Sequence, residues 1–522
     1  MAQRGWDLIV VGAGSSGAAL AMRSAERGKR VLLLEAGPDY RAAETPEAWR
    51  SPNPARALLD PTAADGVVWT GLHATRTDQQ PPGPYWRGRG TGGSSAINGQ
   101  IAIRPPTEDF DDWVRRGATG WSPEDVLPYF AKLEDDEQFG HQPHHGRGGP
   151  TPIYRTPSDE WGAVDAALSE AALAAGYPWA GDVNAPGATG VSPYPINSRD
   201  HRRVSVNDAY LEPAREWANL TVRGDALVDR VAFSGHRAVG VHVVGTGGPD
   251  AGEHRIEHAD EIALCAGAIH SPTILLRSGI GPAAQLRALG LGVLAELPVG
   301  HGLQDHPMSQ ITLALSEGAA ARSPDDRHTN VCVRYTSGGA GTNDMLLTSM
   351  SQNVLAMAGG DTGSGAFGVW VNQTHSRGAV TLSSTDPAEQ PEVAERMLSD
   401  ERDLSRLREG VRTLVELAKR SDSHALAPKP LDQGNEALFA ALDDDAALDA
   451  HLLATAVDAQ HGTSTCRMGA PDDPTTVVDP SCRVLGIDNL RVIDASIFPT
   501  VPRANTNLTA IMAGELMADR LD

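Results

Sequence analysis

His461 lies in the segment AVDAQHGTSTCRMG, residues 456–469, among small and hydroxyl-bearing residues. A neutral imidazole accepts a proton near neutral pH, so a histidine in a pocket can act as a general base. The chain contains 17 histidines, and a lone histidine in a polar stretch is more often a surface residue. A catalytic role for His461 therefore depends on what the rest of the chain can hold beside it.

The N-terminal segment WDLIVVGAGSSGAALAMRSAERGKRVLLLEAG, residues 6–37, carries the clearest structural pattern. Residues 7–11 form an apolar run typical of a strand, residues 16–27 predict a helix, and residues 30–34 predict a second strand. A GxGxxG turn joins the first strand to the helix, and Glu35 ends the second strand. This complete context predicts a Rossmann-like dinucleotide-binding unit.

The residues of that turn each have a physical role. Gly12 permits a tight turn, and Gly14 lets the backbone approach a pyrophosphate. Gly17 lets the helix and strand pack closely, and Glu35 would accept hydrogen bonds from ribose hydroxyls. The first turn of the helix offers free N–H groups and a partial positive charge to phosphates. These features fit NAD and FAD equally, so the residues alone leave the cofactor open.

A second glycine cluster, WRGRGTGGSSAINGQIAIRP, spans residues 86–105. Glycine and serine alone are typical of a flexible linker. Here they are flanked by arginines and followed by Ala-Ile-Asn, which is less typical of a linker. From the residues alone, the segment fits a flexible loop and a ligand cradle equally well.

Several motifs, in order along the chain, resemble those of the glucose-methanol-choline (GMC) oxidoreductases. The matching segments are RGRGTGGSSAIN (87–98), DFDDWVRRGATGWSPEDVLPYF (109–130), GAIHSPTILLRSGIG (267–281), LPVGHGLQDHP (297–307) and RVIDASIFPTVPRANTNLTAIMAGELMADRL (491–521). With the N-terminal turn, the resemblance runs from residue 7 to residue 521 and so covers essentially the whole chain.

The resemblance implies an α/β chain, α+β overall, with a Rossmann-like FAD-binding domain and a discontinuous substrate domain built on an antiparallel sheet. We place the FAD-binding domain at residues 1–155, 205–300 and 452–522, and the substrate-binding domain at 156–204 and 301–451. Ile97 occupies the position where some relatives carry a histidine bonded covalently to the flavin, so we expect non-covalent FAD. The implied cofactor-binding residues are Gly12, Gly14, Ser15, Ser16, Gly17, Glu35, Ala36, Arg87, Gly92, Gly93, Ser94, Asn98, Gly99, Val228, Ala266, Gly267, Asp494, Ala495, Thr506 and Asn507.

The resemblance also assigns chemistry to His461, which falls on the family's histidine beside flavin N5. It implies that His461 takes the hydroxyl proton of an alcohol while hydride passes to the flavin, giving a carbonyl. Asn505 falls on the partner position and would donate a hydrogen bond to the developing alkoxide. The helix predicted after Asn505 would direct its N-terminus at the flavin, where it stabilises negative charge.

The chain departs from the family pattern beside this histidine. Ser464 replaces the glycine of HxxGTxRMG, and Gln460 stands where several oxidases carry an aromatic residue. A glutamine favours a roomier or more polar pocket. We interpret His306, in the segment LQDHP, as structural. We interpret the histidine-rich segment 141–145 as a solvated loop and predict no metal site.

Composition excludes several other classes of function. A net charge of −23 argues against a nucleic acid partner. No apolar run approaches the length of a membrane span, and no signal-peptide pattern is present, so we expect a cytoplasmic protein. The four cysteines lack metal-site or CxxC spacing, and we expect buried, reduced thiols.

Alternatives remain within the GMC interpretation. Besides the small-molecule alcohol, the enzyme needs an electron acceptor that reoxidises the flavin. This acceptor is oxygen in an oxidase, and an unidentified acceptor such as a quinone or a mycofactocin-like carrier in a dehydrogenase. A non-oxidative member, such as a lyase or a photodecarboxylase, would use the same scaffold for another reaction. A pyridine-nucleotide flavin reductase would need a second GxGxxG within a second βαβ unit, and often a redox CxxC, neither of which we find in the sequence. A binding protein without a cofactor would be colourless.

Overall fold

The computed structural model describes residues 5–58, 66–339, 341–353, 363–421 and 426–521. Residues 1–4, 59–65, 340, 354–362, 422–425 and 522, which fall within the predicted domains, lie outside this description. The described chain forms a seven-stranded sheet and a six-stranded sheet, each covered by helices, and three smaller sheets.

The seven-stranded sheet is built around the first apolar run. Trp6–Val11 lies between Val31–Leu34 and His254–Leu264, and all three strands run parallel. Their register brings the three carboxyl ends to one edge of the sheet, where ligands bind in open α/β folds. The other strands of this sheet are Leu220–Arg223, Ala226–Ser234, Arg237–Gly245 and Leu490–Val492.

Three helices connect to that edge. Ser15–Glu26 begins directly after the GxGxxG turn, as the sequence predicts, and packs along the C-terminal helix Thr506–Arg520. Small residues such as Ala18 and Ala19 on the first helix are fully buried, so the two helices approach closely. Gly267–Arg277 follows the strand His254–Leu264. The edge is therefore surrounded by helix N-termini.

Neighbouring strands of the six-stranded sheet all run antiparallel. Its strands, in spatial order, are Val457–Asp458, Pro307–Ala314, Ser364–Val371, Met345–Met350, Val331–Tyr335 and Gly190–Pro193. The long helix Glu401–Arg420 and the helix Ala163–Ala174 pack on one face. Their apolar residues, including Leu407 and Leu414, are buried in a second hydrophobic core.

Shorter elements complete the described chain. A five-stranded sheet contains His73–Thr75, Gly83–Pro84, His301–Leu303, Gly378–Thr381 and Glu392–Ala394. Two-stranded sheets pair Glu134–Asp136 with Thr151–Ile153 and Ser198–Arg199 with Arg202–Arg203. The remaining α-helices are Glu47–Arg50, Ala55–Leu58, Thr107–Arg115, Pro123–Leu133, Glu212–Ala214, Ala283–Ala288, Glu436–Ala441 and Asp445–Thr455.

The predicted fold class is confirmed, because a largely parallel sheet with flanking helices stands beside an antiparallel sheet. The boundaries of the two domains stay a prediction. Cys265, Cys332, Cys466 and Cys482 are all buried and carry free thiols. None of the described helices combines the length and the apolar character that a membrane crossing requires.

Candidate active site

A cavity of about 400 Å³ is lined by residues from the carboxyl edge of the seven-stranded sheet and from the six-stranded sheet. Every residue that the sequence suggested for cofactor binding or catalysis lines it, except Gly17 and Gly92. The lining also contains side chains that the sequence did not suggest, among them Trp69, His328 and Trp370. The roles assigned to the suggested residues stay predictions.

The first glycine-rich turn leaves open space where a pyrophosphate would approach. Gly12 has a φ of +104°, and a Cβ there would lie 2.6 Å from the Cys265 carbonyl oxygen. A Cβ on Gly17 would collide with the Gly12 carbonyl oxygen, so this glycine permits close packing without lining the cavity. A Cβ on Gly14 would meet only the Gly93 Cα, at 3.9 Å. Any side chain at Gly14 would therefore extend into the cavity.

Glu35 holds the two glycine-rich turns together. Its carboxylate accepts backbone N–H bonds from Ala13 at 2.8 Å, Gly37 at 3.0 Å and Gly90 at 2.8 Å. Burial raises the pKa of Glu35, while these three bonds favour the charged form. A carboxylate offers about four acceptor positions. One position remains for a ribose hydroxyl, the role that the sequence suggested.

The second glycine cluster is ordered by hydrogen bonds and is not a flexible linker. The Gly92 N–H donates to the Ala13 carbonyl at 3.0 Å and joins this segment to the first turn. The Gly88 N–H donates to Ser94 Oγ at 3.1 Å. Asn98 Oδ1 accepts from Arg203 Nη1 at 2.8 Å. These contacts favour the ligand cradle over the loop.

Asp494 fixes the opposite wall of the cradle. Its carboxylate accepts from the Gly267 N–H at 2.8 Å, from Ser271 Oγ and from the Ser496 N–H at 2.8 Å. It therefore joins the start of the helix Gly267–Arg277 to the C-terminal segment. Burial raises the pKa of Asp494, and the hydrogen bonds oppose that shift.

The cavity fits FAD on two observations. Gly14 leaves its wall open toward the helix N-terminus at Ser15, where phosphates bind favourably. At the start of Thr506–Arg520, the buried Asn507 Nδ2 and Asn505 Oδ1 have no hydrogen-bond partner among the described residues. A donor and an acceptor left unpaired beside a cavity fit a ring system that carries both functions.

His461 is held by hydrogen bonds on both ring nitrogens. Its Nδ1 lies 2.9 Å from His306 Nδ1, and His306 Nε2 lies 3.1 Å from the Pro502 carbonyl oxygen. A carbonyl only accepts, so His306 carries its hydrogen on Nε2 and accepts on Nδ1. His461 then carries its hydrogen on Nδ1. Its Nε2 is then unprotonated, and the lone pair there accepts from Asn505 Nδ2 at 3.0 Å.

Both imidazoles are neutral in this environment. Burial lowers the pKa of His461 well below its usual value, and His306 and Arg87 add to the shift. Burial lowers the pKa of His306 to about 4. The Trp370 ring lies edge-on to His461, with ring centroids 5.9 Å apart. A neutral ring with a lone pair on Nε2 is the form required of a base.

Gln460 makes the wall beside His461 polar, as the sequence predicts. Arg87 Nη1 donates to Gln460 Oε1 at 2.8 Å, and Gln460 Nε2 donates to Asp458. Asp458 also pairs with Arg76. All of these except Arg76 line the cavity, so the departure from the aromatic residue introduces a chain of charged and amide groups.

Asp458 also belongs to a cluster of buried carboxylates that the sequence did not suggest. One oxygen each of Asp305, Glu395 and Asp458 lies within 4.8 Å of the others. Neither oxygen of Glu395 has a hydrogen-bond partner among the described residues. Burial and the charge of Asp458 raise the pKa of Asp305 to about 7. Residues so distant along the chain give no local signal of this contact.

Ser464, three residues after His461, departs from the family pattern at a position with unusual backbone geometry. Ser464 has a φ of +71°, in the left-handed region that glycine adopts without strain, which accounts for the family's glycine.

The interpretation of the 141–145 segment as solvated is wrong for His145, which is buried between Glu134 Oε1 at 2.7 Å and Asp182 Oδ2 at 2.8 Å. Arg155 pairs with the same Asp182, so this is a buried ion-pair network.

Comparisons with known proteins agree with the geometry. The family described as GMC oxidoreductase matches residues 6–308 with its N-terminal part and residues 374–514 with its C-terminal part. A 5-(hydroxymethyl)furfural oxidase of Methylovorus sp. (strain MP688) is 37% identical, over 99% of this chain and 98% of that protein. Mitochondrial choline dehydrogenase of Homo sapiens is 35% identical, over 98% of this chain and 89% of that protein. The crystal structure of pyridoxine 4-oxidase from Mesorbium loti has a TM-score of 0.84 and 29% identity, over 99% of each chain.

Proposed function

The chain belongs to the GMC oxidoreductase family, and on that premise we propose that it oxidises an alcohol to a carbonyl with His461 as the base. As a member, it is an FAD-dependent oxidoreductase that acts on CH–OH donors. The observation that carries the proposal is the unprotonated His461 Nε2, beside Asn505 and on the cavity wall.

His461 accepts the hydroxyl proton at Nε2. The ring is neutral because burial disfavours its charged form, so no proton has to leave before the substrate binds. The hydrogen on Nδ1 stays in the bond to His306 throughout. The proton therefore has one place to go, and its direction is set by the protein.

Asn505 positions the alcohol oxygen. Without substrate, its amide nitrogen donates to His461 Nε2; the hydroxyl takes that place when the alcohol binds, which leaves the amide hydrogens for the substrate oxygen. An amide donates without competing for the proton, so it stabilises charge that develops on oxygen during the reaction. Asn505 precedes the helix Thr506–Arg520, whose N-terminus adds a favourable field for negative charge.

His306 is a positioning residue, a role that the sequence interpretation did not give it. By donating to Pro502 and accepting from His461, it selects the tautomer in which His461 Nε2 is unprotonated. Sequence spacing could not reveal this pairing, because the two histidines lie 155 residues apart. The position of His306 within the LQDHP segment was the available signal.

FAD, when bound, supplies the acceptor for the hydride that leaves the alcohol carbon. Gly14, Ser15 and Asn507 would hold its phosphates and ring edge, and Glu35 would hold its ribose. Ile97 lines the cavity where a covalent link would otherwise form, which supports non-covalent binding.

The test is anaerobic reduction of the bound flavin by a panel of primary alcohols, comparing the wild type with His461→Ala. Loss of a general base lowers the rate by about 100-fold to 10,000-fold, while FAD content stays unchanged. His254→Ala, at an exposed histidine, is the control. A His461→Ala protein that is reduced at the wild-type rate would remove His461 from the role of base.

The same samples identify the second substrate. Flavin is first photoreduced without oxygen and then mixed with air-saturated buffer. Reoxidation within seconds identifies an oxidase, and reoxidation over many minutes identifies a dehydrogenase with another acceptor. If the flavin photoreduces but no alcohol reduces it, the proposed reaction is wrong and a non-oxidative use of the scaffold takes its place.

A further inference from the structure

Apart from Asp458 on its edge strand, the six-stranded sheet contributes no charged side chain to the cavity wall around His461. Met308, Thr348, Met350 and Trp370 line the cavity from three of its strands. Met308, Met350 and Trp370 form one hydrophobic cluster that also contains Ala504, beside Asn505. An alcohol whose oxygen meets His461 and Asn505 therefore rests its remaining atoms on this neutral wall.

The carboxylates that line the cavity are already engaged. Among the described residues they are Glu35, Asp458 and Asp494. Glu35 and Asp494 accept backbone and hydroxyl hydrogen bonds within the cradle assigned to the cofactor. Asp458 pairs with Arg76 and accepts from Gln460. A cation on the substrate would meet no free carboxylate in this cavity.

Two guanidinium groups, of the buried Arg203 and the partly buried Arg327, make the neutral wall electropositive. Arg327 donates to the carbonyls of Thr329 at 3.0 Å and Gly99 at 2.7 Å, both on the cavity lining. Arg203 donates to Asn98 Oδ1 at 2.8 Å, also on the lining. Neither arginine forms an ion pair with a described carboxylate. Burial lowers the pKa of Arg203 to about 9 and of Arg327 to about 10, so both remain charged at neutral pH.

The carboxylates that act on these arginines through space do not offset them at the cavity. Asp165 raises the pKa of Arg327, but its own oxygens accept from Ser349 and Ser351, away from the lining. Asp208 acts on Arg203 in the same way and does not line the cavity. The wall therefore presents positive potential without a group that binds an anion directly.

One residue of the same wall has a buried polar atom without a partner. His328 lines the cavity, and its Nδ1 has no hydrogen-bond partner among the described residues. Burial and the charges of Arg327 and Arg203 hold the pKa of His328 well below its usual value, so the ring is neutral. A buried polar atom without a partner favours a ligand that supplies one.

We propose that the substrate is a neutral alcohol with an apolar body and a second neutral polar group for His328, and that alcohols bearing a quaternary ammonium group are excluded. This inference rests on the proposed function. A cation would lose its water on entry, gain no carboxylate and face two guanidinium charges. The rings of Trp370 and Tyr194 offer cation–π attraction. This attraction is smaller than the free-energy cost of burying a charge without a partner.

The test compares isosteric pairs that differ only in charge. Choline is paired with its tert-butyl isostere, in which carbon replaces nitrogen, and para-trimethylammonio benzyl alcohol with para-tert-butyl benzyl alcohol. A wider panel of neutral benzylic and furanic alcohols accompanies them. In anaerobic flavin reduction we expect the neutral member to react at least about tenfold faster at equal concentration, because the charge has no partner.

A ratio below tenfold in a reactive pair, or reduction by cationic alcohols alone, overturns the inference and leaves the proposed function standing. No reduction by any alcohol, with a flavin that still photoreduces, overturns the proposed function instead. Thr348→Asp should raise the reactivity of the cationic member relative to the neutral one, and Thr348→Asn, of the same shape without the charge, should not. An equal shift in the two variants contradicts the electrostatic reasoning.

Discussion

Replacing His306 by leucine should slow flavin reduction while leaving the flavin bound. The hydrogen on His461 Nδ1 has one acceptor, His306 Nδ1 at 2.9 Å, and His306 is itself fixed by the Pro502 carbonyl at 3.1 Å. His306 is fully buried, so no water replaces the lost acceptor without opening the site. In His306→Leu, the tautomer with a free Nε2 leaves a buried N–H unpaired.

The size of the effect follows from that unpaired group. An unsatisfied buried donor costs about 1–3 kcal/mol, which corresponds to a change of about 5–150-fold. The wild-type tautomer becomes the minor form, and the rate of proton removal falls by its population. His306→Gln keeps an acceptor for His461 and a donor for Pro502, so we expect it to lose less activity than leucine.

The assay is anaerobic stopped-flow reduction of the flavin by a saturating alcohol, with FAD content and thermal unfolding measured on each variant. The expected order is wild type, then His306→Gln, then His306→Leu. A leucine variant that folds, binds FAD and is reduced at the wild-type rate would refute the tautomer argument. A glutamine variant as slow as the leucine variant would refute the hydrogen-bonding role in particular.

Three other predictions test separate features of the structure. Gly14→Val should purify without FAD because its side chain fills the cavity, whereas Gly292→Ala, where no atom lies within 4 Å of the added Cβ, should stay yellow; a stoichiometrically yellow valine variant contradicts the cradle. Ser464→Gly should be more stable to urea than Ser464→Ala by about 1 kcal/mol, because only glycine relieves the left-handed backbone, and equal stabilities would show that no strain exists there. Burial raises the pKa of Asp305 from 3.8 to about 7 and also raises the pKa of Glu395. The folded state therefore binds more protons than the unfolded state, and the free energy of unfolding falls as the pH rises from about 4 to about 7. In Glu395→Gln, Tm should fall less with pH than in the wild type, and above pH 7 the variant should be the more stable protein. If Tm of the two proteins falls equally with pH, repulsion among these carboxylates does not destabilise the fold.

Local patterns predicted the parts of the molecule that depend on neighbouring residues. The strand ending at Val11, the turn at Gly12 and the helix Ser15–Glu26 follow from periodicity and glycine chemistry within a short stretch. The GMC resemblance identified from the motifs is confirmed by the family match. His461 and Asn505 were placed by that resemblance, and the structure brings them within hydrogen-bond distance.

What could not be predicted depends on contacts between distant segments. The grouping of Asp305, Glu395 and Asp458 requires three segments that are distant along the chain to pack together, and spacing does not show that contact. The sequence predicts a solvated loop around His145 because no acidic or cysteine partner lies at metal-site spacing, yet Glu134 and Asp182 enclose His145 from other parts of the chain. Burial is a property of the assembled fold, so composition of a short segment does not reveal it.

The two residues assigned to the alcohol oxygen lie where segments carried by the two large sheets meet. His461 follows the edge strand Val457–Asp458 of the six-stranded sheet, whereas Asn505 begins the helix Thr506–Arg520 that packs on the seven-stranded side. Hydrogen bonds join these segments, because the Pro502 carbonyl accepts from His306 and the Arg503 carbonyl accepts from Asn372, directly after the strand Ser364–Val371. Turnover therefore depends on these joining hydrogen bonds as well as on the cavity lining, so it reports how the two sheets are aligned.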